Sequence, residues 1–181
     1  MLQSAKLKYI YPIGLFIAFF LDGIIEQLFS RQLFQYPYSM VSNLTIIWMV
    51  LSIFFEGESH IHFVMWAFII GLAFDWYYTG IFGVNVFIYP LTVILVRGIE
   101  PFLKHRFLEI FFVTSLAVGL SNALFYVVFQ AFHFANVSTA FFIGYAFIPT
   151  IILNLSFLVI IYYPVKILFR KTRGTNSRIF K

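Results

Sequence analysis

The sequence contains no cysteine. That excludes a disulfide framework and thiolate metal sites, and says little about compartment. Charge is scarce as well: Asp, Glu, Lys and Arg make up 10% of the 181 residues, where a soluble domain carries about a quarter. Several chemical motifs are also missing. There is no phosphate-binding GxxxxGK[ST], no dinucleotide GxGxxG, no HExxH and no GxSxG nucleophile elbow. No small-x-small cleavage pattern follows the first apolar stretch, so the first helix is expected to stay attached.

Apolar and aromatic residues fill the space that charge leaves. The chain is 62% hydrophobic with 26 Phe, 11 Tyr and 3 Trp, and its mean hydropathy is +0.94. A water-soluble fold of this size has too little interior to hide that much apolar surface. A bilayer removes the difficulty, provided that each crossing helix offers about 20 mainly apolar residues. Tyr9, Tyr11, Tyr36, Tyr38, Tyr77, Tyr78, Tyr162 and Tyr163 fall near the ends of the apolar runs, where amphipathic rings favour the headgroup level. The fold class expected is all-α: a polytopic membrane protein with six spans.

These spans are expected at Tyr9–Phe29, Tyr38–Phe55, Ile61–Tyr78, Val84–Val96, Phe107–Phe132 and from Ser138 to Tyr163 or Phe169. The fourth is short and contains Pro90. The sixth is long, and its tail is expected to emerge into water and bend at Pro164. Six spans put both ends on one side. Lys6 and Lys8, then Arg97, Lys104 and Arg106, then Lys166, Arg170, Lys171, Arg173, Arg178 and Lys181 all fall on that side, and Arg31 alone falls opposite. The positive-inside bias makes that side the cytoplasm. Residues 1–169 read as one transmembrane domain, and 170–181 as a short basic cytoplasmic tail. These basic residues suit membrane lipids or a docking partner; the tail is too short for nucleic acid.

Ionisable groups inside a span are costly in lipid and become functional candidates. Asp75 lies late in the third span. It either bonds Thr79 or the backbone near Gly80, holds the third and fourth spans together, or meets a ligand. Asp22 and Glu26 sit four apart, on one face of the first span, with Arg31 near enough in sequence to offset one of them. They could hold a cation, but are rather expected to line a polar cleft or contact a partner. Glu56, Glu58, His60 and His62 cluster at one turn, but residues spaced as in an ordinary turn make a poor metal site, and neither metal nor cofactor is expected. Gly14 and Ala18 followed by Asp22, and Ala117 with Ser121, allow close helix approach; Asn85, Asn122 and Asn154 offer hydrogen bonds within the bundle. His133 is isolated at the outer end of the fifth span, and His105 lies in a cytoplasmic turn on the other side from Asp22 and Asp75, so no catalytic residue is expected.

The stretch Gly71-Leu72-Ala73-Phe74-Asp75-Trp76-Tyr77-Tyr78-Thr79-Gly80-Ile81-Phe82-Gly83-Val84-Asn85 resembles the signature of the rod shape-determining protein MreD family. The aspartate late in an apolar helix, the two glycines and the polar residue beyond them match at Asp75, Gly80, Gly83 and Asn85. The resemblance implies a non-catalytic subunit of the machinery for lateral peptidoglycan synthesis. It works beside the bitopic protein MreC, with RodA, a class B penicillin-binding protein and, in rods, MreB. It also implies a six-helix domain resembling the substrate-binding subunits of energy-coupling-factor transporters, which leaves a vitamin-transporter subunit as the alternative. Such subunits carry an alanine-x-x-x-alanine face in the first span, where this chain has Gly14, Ala18 and then Asp22. Ala131 and Ala135 have that spacing, but at a loop.

Overall fold

A computed structural model describes residues 2–57, 61–134 and 137–173, and among these every regular element is a helix. Glu58, His60, Ala135, Arg178 and Lys181, with the side chains of Lys6, Lys8 and Arg173, lie outside the described residues. Helix α1 is Leu2–Leu28, followed by the single turn α2, Ser30–Leu33. An extended stretch then enters α3, Leu44–Phe55. Helix α4, Phe63–Phe74, ends in a π-helical turn at Asp75–Thr79. Then follow α5, Asn85–Ile99, and α6, Phe107–Ala131. The last helix starts as α7, Thr139–Phe142, passes through a π-helical turn at Ile143–Phe147 and continues as α8, Ile148–Arg173.

Four of these helical stretches are long and apolar enough to cross a membrane: Tyr9–Leu28, Asn85–Phe102, Phe107–Ala131 and Thr139–Thr172. The count of spanning-length helices is thus four, where the sequence led us to expect six. The expected second span is helical only over Leu44–Phe55 and the third over Phe63–Thr79. Twelve helical residues rise about 18 Å and seventeen about 26 Å, both short of a hydrocarbon core of about 30 Å. The reason differs between the two segments. Ser42 and Asn43 are drawn into bonds with other helices before α3 begins, and Gly80, with φ of 66°, stops the third segment in the left-handed region. The fourth segment is longer than expected, because a 3₁₀ turn at Glu100–Phe102 extends α5 to 18 residues. No helix end falls at Pro164; α8 runs past it to Arg173.

Helix α3 is the axis of the bundle. It packs against α1, α5, α6 and α8, and Trp48 is its one residue that is not buried. Around it, Ile13, Ile17 and Phe20 of α1, Phe112 and Leu116 of α6, and Ile152, Val159 and Ile160 of α8 face outward. Such a surface suits lipid rather than water. Lipid tails are as apolar as leucine, so the hydrophobic effect does not hold these helices together, and close packing and polar ties must do so. Glycine provides the closest packing. The Trp48 ring lies on Gly14, where a Cβ would stand 2.0 Å from it, and the indole Nε1 donates to the Tyr11 carbonyl at 3.0 Å. Tyr78 does the same over Gly23, its hydroxyl donating to the Phe19 carbonyl at 3.0 Å. A Cβ on Gly71 would meet the Asn85 carbonyl oxygen at 2.5 Å, so α4 and α5 touch backbone to backbone there.

Candidate functional site

The polar residues gather at one end of the bundle, where α1 ends and α3 and α5 begin. The chain enters α3 there without helical hydrogen bonds, and every N–H on the way in finds a partner. Tyr38, Ser39 and Met40 donate to the carbonyls of Gln35, Tyr145 and Leu33. Val41 donates to Thr150 Oγ1, Ser42 to Glu26 Oε1, and Asn43 to Asn154 Oδ1 at 2.7 Å. Leu44 and Thr45 donate to the two carboxylate oxygens of Asp22 at 2.6 and 3.0 Å. The side chains of Ser42 and Thr45 add bonds to Asp22 at 2.6 and 2.7 Å. Asn154 also donates to the Val41 and Thr150 carbonyls, which locks its amide.

Two pairs spaced by four residues therefore clamp this segment: Asp22 and Glu26 on α1, Thr150 and Asn154 on α8. Non-helical backbone survives at membrane depth only where protein satisfies it, and here side chains do so. Asp22, 2% exposed, fills the place of an N-cap for α3 from another helix. It takes four hydrogen bonds there, two from backbone N–H groups and two from the Ser42 and Thr45 hydroxyls. Among the described residues Arg31 makes no ion pair with Asp22 or Glu26, so the offset that sequence spacing suggested is supplied by neutral donors.

Asp75 performs the parallel task for α5. Fully buried, it accepts from Gly83 N at 2.8 Å, Asn85 N and Nδ2 at 2.9 Å, and Val86 N at 3.2 Å. Gly80 and Gly83, with φ of 66° and 104°, return the chain through backbone conformations that other residues resist. Thr79 bonds the Asp75 carbonyl rather than its carboxylate. Of the other asparagines, Asn122 bonds the Val118 carbonyl of its own helix. Ser121 reaches across to Thr92 at 2.9 Å.

Between these two caps lies a cavity of about 240 Å³. Asp22, Glu26 and the 41–43 segment form one wall; Phe74, Tyr78, Asn85, Tyr89, Asn122 and Phe125 form the rest. Gly14 and Ala18 lie elsewhere, on an apolar groove between α1, α3 and α8.

The opposite end of the bundle carries the basic residues. Arg97 stands 3.7 Å from Glu56 and 5.3 Å above the Phe63 ring. Glu56 in turn accepts from Ile61 N at 2.6 Å, closing the turn between α3 and α4. His105, left-handed at φ of 57°, meets Glu100 at 2.6 Å. Glu109 accepts from Lys104 N and Arg106 N, capping α6. Lys104, Arg106, Arg170 and Lys171 are exposed, and Lys166 lies over the Tyr162 ring. His133 ends α6: at φ of 58° it lets His133 N and Phe134 N bond the Gln130 and Phe129 carbonyls. Among the described residues no group of three or more His, Asp or Glu is placed to hold a metal ion.

Thr150, Gly23, Gly71, Tyr78 and Trp48 were not identified as contributors from sequence. The Thr150–Asn154 spacing was a readable signal, since it repeats the spacing of Asp22 and Glu26. The glycines gave none, because each is explained by a ring or backbone from a different helix.

Fold and site together define a polytopic, all-α membrane protein whose buried carboxylates hold helix starts in place. Comparison with protein families finds one whose description is rod shape-determining protein MreD, matching residues 7–172. The chain belongs to the MreD family. Proteins of that family are non-catalytic. Comparison with curated proteins and with solved structures gave no match.

Proposed function

We propose that this protein is a non-catalytic membrane subunit of the bacterial elongation complex, binding MreC and supporting lateral peptidoglycan synthesis and cell shape. RodA, a class B penicillin-binding protein and MreB are further partners in this reading. The chain lies in the cell membrane with six embedded segments, the two short helices completing the set. Both termini and the Arg97–Arg106 turn face the cytoplasm, where the basic tail meets lipid phosphates. Segment length supports this count. Six extended residues at about 3.3 Å each, added to a twelve-residue helix, can reach across a core of about 30 Å. The charge distribution supports the orientation.

The observation that carries the functional reading is the pair of carboxylate caps. Asp22 and Asp75 hold the starts of α3 and α5 at one end of the bundle, the extracytoplasmic end in this topology, and keep its surface rigid. A rigid surface is one against which a partner's single membrane helix and the chain that follows it can pack without an ordering cost. Gly14 lies under Trp48 and Ala18 is buried, so the small-residue face that a transporter's coupling subunit would need is used within the chain.

Co-purification from native membranes tests the proposal. Asp75→Ala, expressed to the wild-type level, is expected to recover MreC at least several-fold less well. Unchanged recovery would sink it. An adjacent pair of ATPase genes, in place of an MreC-like gene, would favour the transporter subunit.

A further inference from the structure

The cavity between the caps has a composition that the capping task does not explain. Its lining includes two carboxylates, Asp22 and Glu26, and no Lys, Arg or His. Its amides are turned in one sense. Asn85 spends its Nδ2 on Asp75, and Asn122 spends its Nδ2 on the Val118 carbonyl, so both present an oxygen that accepts no bond from the described residues. Glu26 uses one carboxylate oxygen on Ser42 N and has the other to spare. Tyr89 is 6% exposed, lines the cavity, and its hydroxyl has no protein partner among the described residues. The rings of Phe74, Tyr78, Tyr89 and Phe125 form the aromatic part of the walls, and Ser42, Asn43, Thr79 and Ser121 complete the polar part.

Carboxylate charge, unspent acceptors and aromatic faces are together the means by which proteins recognise an organic ammonium. An anion would meet repulsion here from Asp22 and Glu26, and no cationic side chain lines the cavity to offset it. We propose that this cavity binds the ammonium group of a small amine, carried either on a lipid headgroup or on a soluble molecule. Glu26 supplies the counter-charge, Asn85 and Asn122 accept its N–H groups, and the rings enclose its methylenes. This activity is separate from partner binding and does not depend on it.

The test uses the full chain purified in detergent. Native mass spectrometry measures retention of phosphatidylethanolamine against phosphatidylglycerol, and thermal shift measures binding of ethanolamine against acetate. The expected result is at least fivefold preference for the amine member of one pair or both. A lipid-only response assigns the headgroup, and a response to ethanolamine assigns a soluble amine. Glu26→Gln keeps the acceptor for Ser42 N and removes the charge, so it is expected to fold and to lose at least tenfold in affinity. Tyr89→Phe removes only the unpartnered hydroxyl and is expected to lose about threefold. Equal retention of amine and anionic probes overturns the proposal, as does wild-type binding by both variants. MreC recovery is expected to be unchanged in Tyr89→Phe, so failure here is distinguishable from failure of the partner-binding reading.

Discussion

The junction before α3 and the turn before α5 solve one problem in two ways. Each starts a helix whose first N–H groups have no helical partner, and each supplies a buried carboxylate. Asp75 reaches residues 8 to 11 positions ahead of it, across a single glycine-bounded turn. Asp22 reaches residues 20 to 23 positions ahead, after the chain has left α1, formed α2 and come back. The first cap is a local device and the second a tertiary one. A local cap organises a turn, whereas a tertiary cap also fixes how two helices sit against each other. The second is backed by Glu26, Thr150 and Asn154; the first stands without such support.

Removing the carboxylates is the strongest way to break the comparison. Asp22→Ala strands four buried donors and unties α1 from α3, so a loss of at least about 3 kcal/mol is expected from unsatisfied polar groups. Asp75→Ala strands donors within one turn, of which Gly83 is only half-buried, and about 2 kcal/mol is expected. Equilibrium unfolding in mixed micelles measures both, and an equal or reversed order would remove the distinction between local and tertiary caps. A smaller effect is expected at the α4–α5 contact. Gly71→Ala places a Cβ against backbone that cannot give way and should cost about 1–3 kcal/mol as the helices shift. Gly98→Ala, in the same hairpin but with open space around it, is the control and should leave the melting temperature level or slightly higher.

The smallest effect has the opposite sign. Deeper in the bundle, Ser52 and Thr114 are fully buried, and their hydroxyls find no partner among the described residues. The backbone donors at the two caps are satisfied, and these buried hydroxyls are not. Thr114→Val keeps the shape and removes the unpaired hydroxyl, so a gain of about 1 kcal/mol is expected. A loss would mean that the hydroxyl has a partner in the membrane.

Much of this molecule was legible before its fold was seen. Apolar composition pointed to the bilayer, and the run from Asp75 to Asn85 could be read because all of its parts lie within one turn. Asp22 and Glu26 were visible as a pair, but not what they hold, because Ser42 to Thr45 reach them only once α1 and α3 lie side by side. Length misled in the same region. Residues 38–43 run directly into an apolar helix, and periodicity cannot reveal that side chains from two other helices have replaced their helical hydrogen bonds.

The sequence by itself determined that the chain lives in lipid, that helices build it and where its local cap lies. Those properties follow from composition and from bonds between near neighbours. Only the tertiary structure decided that α3 is the buried axis, that its entry is extended and that a cavity opens between the two caps. In lipid, apolar burial does not choose among helix arrangements. The choice falls to glycine contacts and hydrogen bonds between distant residues, whose partners no local pattern names.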